Sequence, residues 1–169
     1  AEKIIRQLPE DEKIIFGPDK YLGGYLNRIT GRDMLLWQGT CLVHERFSEK
    51  ELIALIARHP KAHVIAHPEC PGELLAYAHH IGSTSSLLHF AAEKEGADII
   101  VITEPGIVHQ MKKKGPSNTY HELAGMDDEQ GACIACNACP YMRLNTMEKL
   151  RDCMQQQRPV IHLDESLRL

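Results

Sequence analysis

The sequence predicts an α/β fold: three-layer α/β/α sandwich units, each with a parallel sheet covered by helices. Three observations carry this. Short, continuous apolar runs alternate with amphipathic segments along the chain. Proline and glycine close the apolar runs, and helix-capping residues open the segments after them. A loose internal repeat places a strand, an acid with a proline and a helix in the same order twice. Strands that read as unbroken apolar runs are buried on both faces, as in parallel sheets.

The elements follow in order. The chain opens at Ala1, without an initiator methionine, in a polar, helix-like segment; that opening suits a processed product or a piece of something longer. Lys13-Ile14-Ile15-Phe16-Gly17 reads as a buried strand closed by Pro18-Asp19. A short helix over 20–27 ends at Thr30-Gly31, and Met34-Leu35-Leu36-Trp37 is the next apolar run. Ser48 with Glu51 three residues on forms a capping box for a helix through 57. Residues 62–66 read as a strand stopped by Pro68, and 71–80 as helix. Ser83-Thr84-Ser85-Ser86 caps a helix through 95, which Gly96 ends. Asp98-Ile99-Ile100-Val101-Ile102 is the clearest strand, followed by a helix over 106–114. A last helix over 145–156 precedes a final apolar run at 159–163.

The repeat sets Ile14-Ile15-Phe16-Gly17-Pro18-Asp19-Lys20-Tyr21-Leu22 beside Ile99-Ile100-Val101-Ile102-Thr103-Glu104-Pro105-Gly106-Ile107. Both copies lead to a cysteine downstream: Cys41 after the first, the cysteine run after the second. A unit that delivers one thiolate per copy can place ligands around a shared centre.

Composition excludes several functions. The 169 residues suffice for one sizeable core. A net charge of −4 shows no nucleic-acid footprint. Lys112-Lys113-Lys114 ends a helix before Gly115-Pro116, where it complements the helix dipole. No apolar stretch is long enough to span a membrane, and no signal-peptide pattern opens the chain. Six cysteines in an α/β pattern suit reduced thiols and a cytoplasmic protein rather than a disulfide framework.

The cysteines narrow the chemistry most. Cys133-Ile134-Ala135-Cys136-Asn137-Ala138-Cys139-Pro140 has C-x-x-C-x-x-C spacing, suited to zinc or an iron–sulfur cluster. The bacterial ferredoxin run carries a fourth cysteine before its proline, which this one lacks. Either a ligand comes from elsewhere or one metal position is open, and an open iron is a Lewis acid. On spacing alone, a non-catalytic iron–sulfur or zinc module on Cys133, Cys136 and Cys139 stands beside that reading. So does a thiol redox switch.

Three further groups stand at predicted turns. His67-Pro68-Glu69-Cys70 follows a strand, where α/β folds bind ligands; His67 and Glu69 can exchange protons or hold a substrate there. A hydrogen-bonded loop histidine is the plainer alternative. Gly82-Ser83-Thr84-Ser85 at a helix start is an anion site or an ordinary N-cap. Gly39-Thr40-Cys41-Leu42-Val43-His44-Glu45 puts a thiol beside a glycine turn with His44 three residues on; a lone buried cysteine is the alternative.

Taken jointly, these stretches resemble the quinolinate synthase family. The resemblance rests on Pro18-Asp19-Lys20-Tyr21-Leu22-Gly23, Trp37-Gln38-Gly39-Thr40-Cys41-Leu42-Val43-His44-Glu45 and His67-Pro68-Glu69-Cys70-Pro71. It continues through Gly82-Ser83-Thr84-Ser85, Thr103-Glu104-Pro105-Gly106 and Cys139-Pro140-Tyr141-Met142-Arg143-Leu144-Asn145-Thr146, in the family's order.

The resemblance implies a pseudo-three-fold, three-domain enzyme with a central 4Fe–4S cluster, one cysteine from each domain and one open iron. Residues 1–46 would be the second half of the middle domain, 47–142 the third domain, and 143–169 a C-terminal helix and strand. Cys41 and Cys139 would be cluster ligands, Cys133 and Cys136 extra thiols able to act as a redox pair, and Cys70 and Cys153 neither. Glu69 and His67 would be catalytic, with His67, Pro68, Glu69, Ser83 and Thr84 binding substrate. The implied reaction condenses iminoaspartate with dihydroxyacetone phosphate to quinolinate, in NAD biosynthesis. An aspartate-oxidising enzyme that supplies iminoaspartate is the implied partner. The family's first domain has no counterpart here, so the 169 residues alone are expected to be inactive.

Overall fold

Apolar Ile15-Phe16 forms β1 (Ile15–Phe16), and the chain turns through Pro18 into α2 (Lys20–Thr30), preceded by the short α1 (Glu2–Ile5). Asp19 caps α2, its carboxylate accepting from the Leu22 N–H at 2.8 Å. Gly31 ends the helix in the left-handed region at φ 71°, a conformation that favours glycine. The chain returns as β2 (Leu35–Leu36), parallel to β1, with Ile15 paired to Leu35. This βαβ unit closes over a small core of Ile5, Leu26 and Met34. A computed structural model describes residues 1–125 and 137–167 of the chain.

The second sheet follows. Ser48 caps α3 (Glu49–Arg58), accepting from the Glu51 N–H, and β3 (His63–Ala66) comes next. Then come α4 (Gly72–Leu75), β4 (His80–Ile81), α5 (Thr84–Ala92), β5 (Asp98–Ile102), α6 (Gly106–Lys114) and β6 (Thr119–Glu122). The sheet has the order β4-β3-β5-β6, every neighbouring pair parallel. Side chains alternate between faces along each strand. Ile65, Ile99 and Val101 pack against Leu87 and Ala91 of α5 and Val108 and Met111 of α6. Val64, Ala66, Ile100 and Ile102, on the opposite face, are buried too, as are Leu52, Leu55, Leu74 and Leu75 of α3 and α4. The α/β class with parallel sheets flanked by helices is therefore what the sequence predicts.

The strand expected to be buried at 13–17 forms, but Ile15 on it is 79% exposed because it lies on the open face of a two-stranded sheet. Three further details differ from the sequence-based expectation. The helix expected over 71–80 lasts only from Gly72 to Leu75. The chain then leaves it to pair with the sheet: the His79 N–H donates to the Val64 carbonyl at 2.8 Å, and His80 pairs with Ile65. Second, 119–122 forms the edge strand β6, although Thr-Tyr-His-Glu carries no apolar run. Third, the expected strand at 159–163 is absent, and Val160, Ile161 and Leu163 are exposed. A strand needs a hydrogen-bonding neighbour, and in its own unit the described neighbours are α7 (Met147–Gln156) and short helical turns.

The chain divides into two compact units, Ala1–Ala138 and Cys139–Leu169. Both sheets belong to the first. The second is built on α7, which Thr146 caps by accepting from the Lys149 N–H at 3.3 Å. Among the described residues no helix is long and apolar enough to cross a membrane.

Candidate active site at the strand ends

The sheet order decides where a site can form. The chain passes outward from β3 to β4, and outward on the other side from β5 to β6. The order therefore reverses between β3 and β5, and ligands of α/β sheets bind at the carboxyl ends of the strands at such a point. His67, Pro68 and Glu69 follow β3, and Thr103 follows β5. The His67 N–H donates to the Ile102 carbonyl at 3.1 Å, which fastens the β3 end to the β5 end.

The loop after β2 reaches the same place. Asp19, buried after β1, caps α2 with one carboxylate oxygen and accepts from the Cys41 N–H with the other at 2.9 Å. Gly39 lies so close to the Pro18 carbonyl oxygen that a Cβ there would collide with it. Thr40 donates from its hydroxyl to Glu45 at 2.7 Å, and a turn of 3-10 helix at His44–Arg46 then directs His44 inward. The Nε2 of His44 and the hydroxyl of Thr103 are 3.0 Å apart, both residues buried. That contact joins the end of the first sheet to the switch point of the second.

Around His44 stand the groups with chemistry. Its Nδ1 is 3.1 Å from Glu69 Oε2, a charge pairing without a well-directed hydrogen bond at that nitrogen. His67 stacks on His44 with ring centroids 4.7 Å apart, and its Nδ1 is 3.7 Å from the same Glu69 oxygen. Cys41, His44 and Glu69 each offer one ligand atom within 4.8 Å of the others, so the group could hold a metal ion.

The electrostatics are consistent. Burial opposes the charged form of His44, but the Cys41 thiolate and the Glu69 carboxylate outweigh it and push its pKa up to about 9. His44 in turn holds both the Cys41 thiol and the Glu69 carboxyl below their ordinary values. His67 is held below its ordinary value, by burial first and then by the charge on His44. The Cys70 thiol, fully buried, is pushed up by burial.

The structure thus brings Cys41, His67, Pro68 and Glu69 together at one set of strand ends. Ser83 and Thr84 stand at the end of the neighbouring strand β4, exposed at the start of α5, with Ser83 capping that helix. Gly82 donates from its N–H to the Ala66 carbonyl at 3.1 Å, so this turn adjoins the end of β3. Cys139 belongs to the second unit, where it is half-buried; Cys133 and Cys136 lie outside the described residues. Sequence reasoning did not single out Asp19 or Thr103. The signal for each was its place: the first polar residues after apolar strands, where the backbone aims side chains at the cleft.

Comparison with known proteins gives the family. The family model described as quinolinate synthetase A protein matches residues 1–169. A quinolinate synthase of Ehrlichia chaffeensis is 53% identical over 167 residues, covering 99% of this chain and 52% of that protein. One from Synechococcus is 49% identical over 169 residues, covering 100% of this chain and 52% of that protein. One from Synechocystis is 50% identical over 166 residues, covering 98% and 51%. The chain spans about half the length of the curated relatives it matches. On a family-model match over its whole length and about 50% identity to these relatives, the chain belongs to the quinolinate synthase family.

Proposed function

We propose that this chain supplies the acid–base groups and two thiolates of a quinolinate synthase active site. The reaction would condense iminoaspartate with dihydroxyacetone phosphate to quinolinate, losing phosphate and water. One observation carries the reading: Cys41, His44, His67, Glu69 and Thr103 converge at a sheet switch point in a member of this family.

The donor chemistry fits an iron–sulfur cluster. Cys41 is half-exposed and its thiol is held toward the thiolate by His44, the form that binds soft metals. Cys41 and Cys139 would each hold one iron of a 4Fe–4S cluster, with a third cysteine from outside this chain. When bound, the cluster would supply an open iron as a Lewis acid toward substrate oxygen.

The chain's own residues do the rest. Glu69 would take and return a proton at Oε2 during dehydration and tautomerisation. His44, fixed by Thr103 on one side, would hold the Glu69 carboxylate in place on the other. His67 faces Glu69 with Nδ1 and would offer Nε2 to substrate. Ser83 and Thr84 stand at the N-terminus of α5, where N–H groups and the helix dipole favour a phosphate or a carboxylate. We extend the proposal to a cytoplasmic setting and to an aspartate-oxidising enzyme as the source of iminoaspartate.

Turnover of the complete enzyme with Glu69→Gln tests the acid–base role. Glutamine keeps the shape but carries no proton, so iron content should be unchanged while turnover falls about 100- to 10,000-fold. Near-normal turnover would move the proton to another group. Thr84→Ala should chiefly raise KM, since a neutral hydroxyl donor helps binding more than bond breaking.

A further inference from the structure

The opposite end of the second sheet carries a second cluster of donors. His59 follows α3 as its C-cap residue, Asp98 is the first residue of β5, and His121 is the third of β6. The register pairs Asp98 with Thr119 and Ile100 with His121, so alternation puts Asp98 and His121 on one face of the sheet. The Nε2 of His121 is 2.9 Å from Asp98 Oδ1. The His59 ring stacks on the His121 ring, with centroids 3.7 Å apart. One ligand atom from each of the three lies within 4.8 Å of the others.

We propose that His59, Asp98 and His121 form a binding site for a divalent transition metal of the zinc type, separate from the strand-end cleft. Two imidazoles and one carboxylate are the donor set zinc takes in three-ligand sites, with a further position for water. It is also too nitrogen-rich for magnesium or calcium, which take oxygen ligands. Ligand atoms around a tetrahedral zinc lie about 3.3 Å apart, and imidazole binds in its ring plane, so closing on an ion requires the His59 ring to rotate out of its stack on His121. Access is open: the Asp98 side chain is 47% exposed. Separation from Glu69 follows from the strand. Asp98 and Thr103 stand five residues apart on β5 and its end, about 16 Å at the rise of a strand.

The three residues come from three elements distant in sequence, so a bound ion ties them mechanically. It clamps the C-terminus of α3 and the edge strand β6 to the inner strand β5. β6 leads on in sequence toward the run that carries Cys133, Cys136 and Cys139. An ion that binds only the folded state also raises its stability.

The test measures zinc and iron in the full-length protein and in His59→Gln, Asp98→Asn and His121→Gln, after chelation, re-addition of zinc and dialysis. The wild type should retain one zinc more than each variant, with iron unchanged. Loss of an outer partner of a metal ligand weakens binding about 10- to 100-fold, so loss of a direct ligand should cost at least ~100-fold. Zinc should raise the Tm of the wild type and leave that of His59→Gln where it is. Cobalt in place of zinc should give visible bands without thiolate charge transfer. Equal zinc in wild type and variants would overturn the proposal; so would a thiolate-type cobalt spectrum that persists in His59→Gln. Should His121→Gln fail to fold, His59→Gln and Asp98→Asn, at partly exposed positions, carry the decision.

Discussion

Two cysteines in the first unit show how neighbours set a side chain's chemistry. Cys41 stands half-exposed beside His44, whose charge favours the thiolate. Cys70, just past Glu69, is sealed beneath the same cleft, its Sγ 3.5 Å from the Ile102 carbonyl, and burial keeps its proton on. Alkylation rate follows thiolate fraction and access together. Iodoacetamide followed by peptide mass analysis should therefore leave Cys70 unmodified in the native protein and label it only after denaturation, while exposed Cys153 reacts in both states. Labelling of native Cys70 at the rate of Cys153 would contradict the burial described for it. The pairing of His44 with Glu69 belongs to this scale too. Neither residue predicts the other by spacing, since 25 positions of chain separate two loops that only the sheet order unites.

At the scale of elements, the legible parts were those whose signal is local. Ser48, Ser83 and Asp19 announce helix starts by their own chemistry, and Gly31 an end. The run Ile99-Ile100-Val101-Ile102 announces a strand buried on both faces. β4 and β6 were illegible because an edge strand with one partner needs no apolar run: Thr119-Tyr120-His121-Glu122 is held by pairing to β5. Asn118 fixes the entry to that strand. Its Nδ2 donates to the carbonyls of Ala91 and Lys94 at 2.9 Å each, and its Oδ1 accepts from the Ala97 N–H at 2.9 Å. Asn118→Ala removes one hydrogen bond from each of three backbone groups near the end of α5, leaving the Ala97 N–H and the Lys94 carbonyl without that partner. With the Ala91 carbonyl still accepting from the Lys94 N–H and the other two groups only part-buried, a loss of about 1–3 kcal/mol is expected in urea unfolding, with the m-value unchanged. A loss below about 0.5 kcal/mol would mean these backbone groups find other partners.

At the scale of the whole molecule, two units of one chain each carry a thiol in a family stretch, Cys41 in the first and Cys139 in the second. The candidate site was legible in the sequence as separate pieces: His67-Pro68-Glu69 after one strand, Cys41 with His44 after another, Ser83-Thr84 at a helix start. The convergence of Cys41, His44, His67 and Glu69 was not readable from spacing, because it depends on the reversal of strand order between β3 and β5, which no local pattern encodes. Apolar Ile15, Leu35 and Trp37 stand exposed on the small sheet. Under the proposed function, Cys41 and Cys139 would hold the cluster and Cys70 would not. Iron and sulfide content of the complete enzyme, reconstituted anaerobically, tests it most directly in Cys41→Ser, Cys139→Ser and Cys70→Ser. No assembled cluster is expected in the first two and wild-type iron in Cys70→Ser; a cluster at full occupancy without Cys41 or without Cys139 would contradict those ligand assignments.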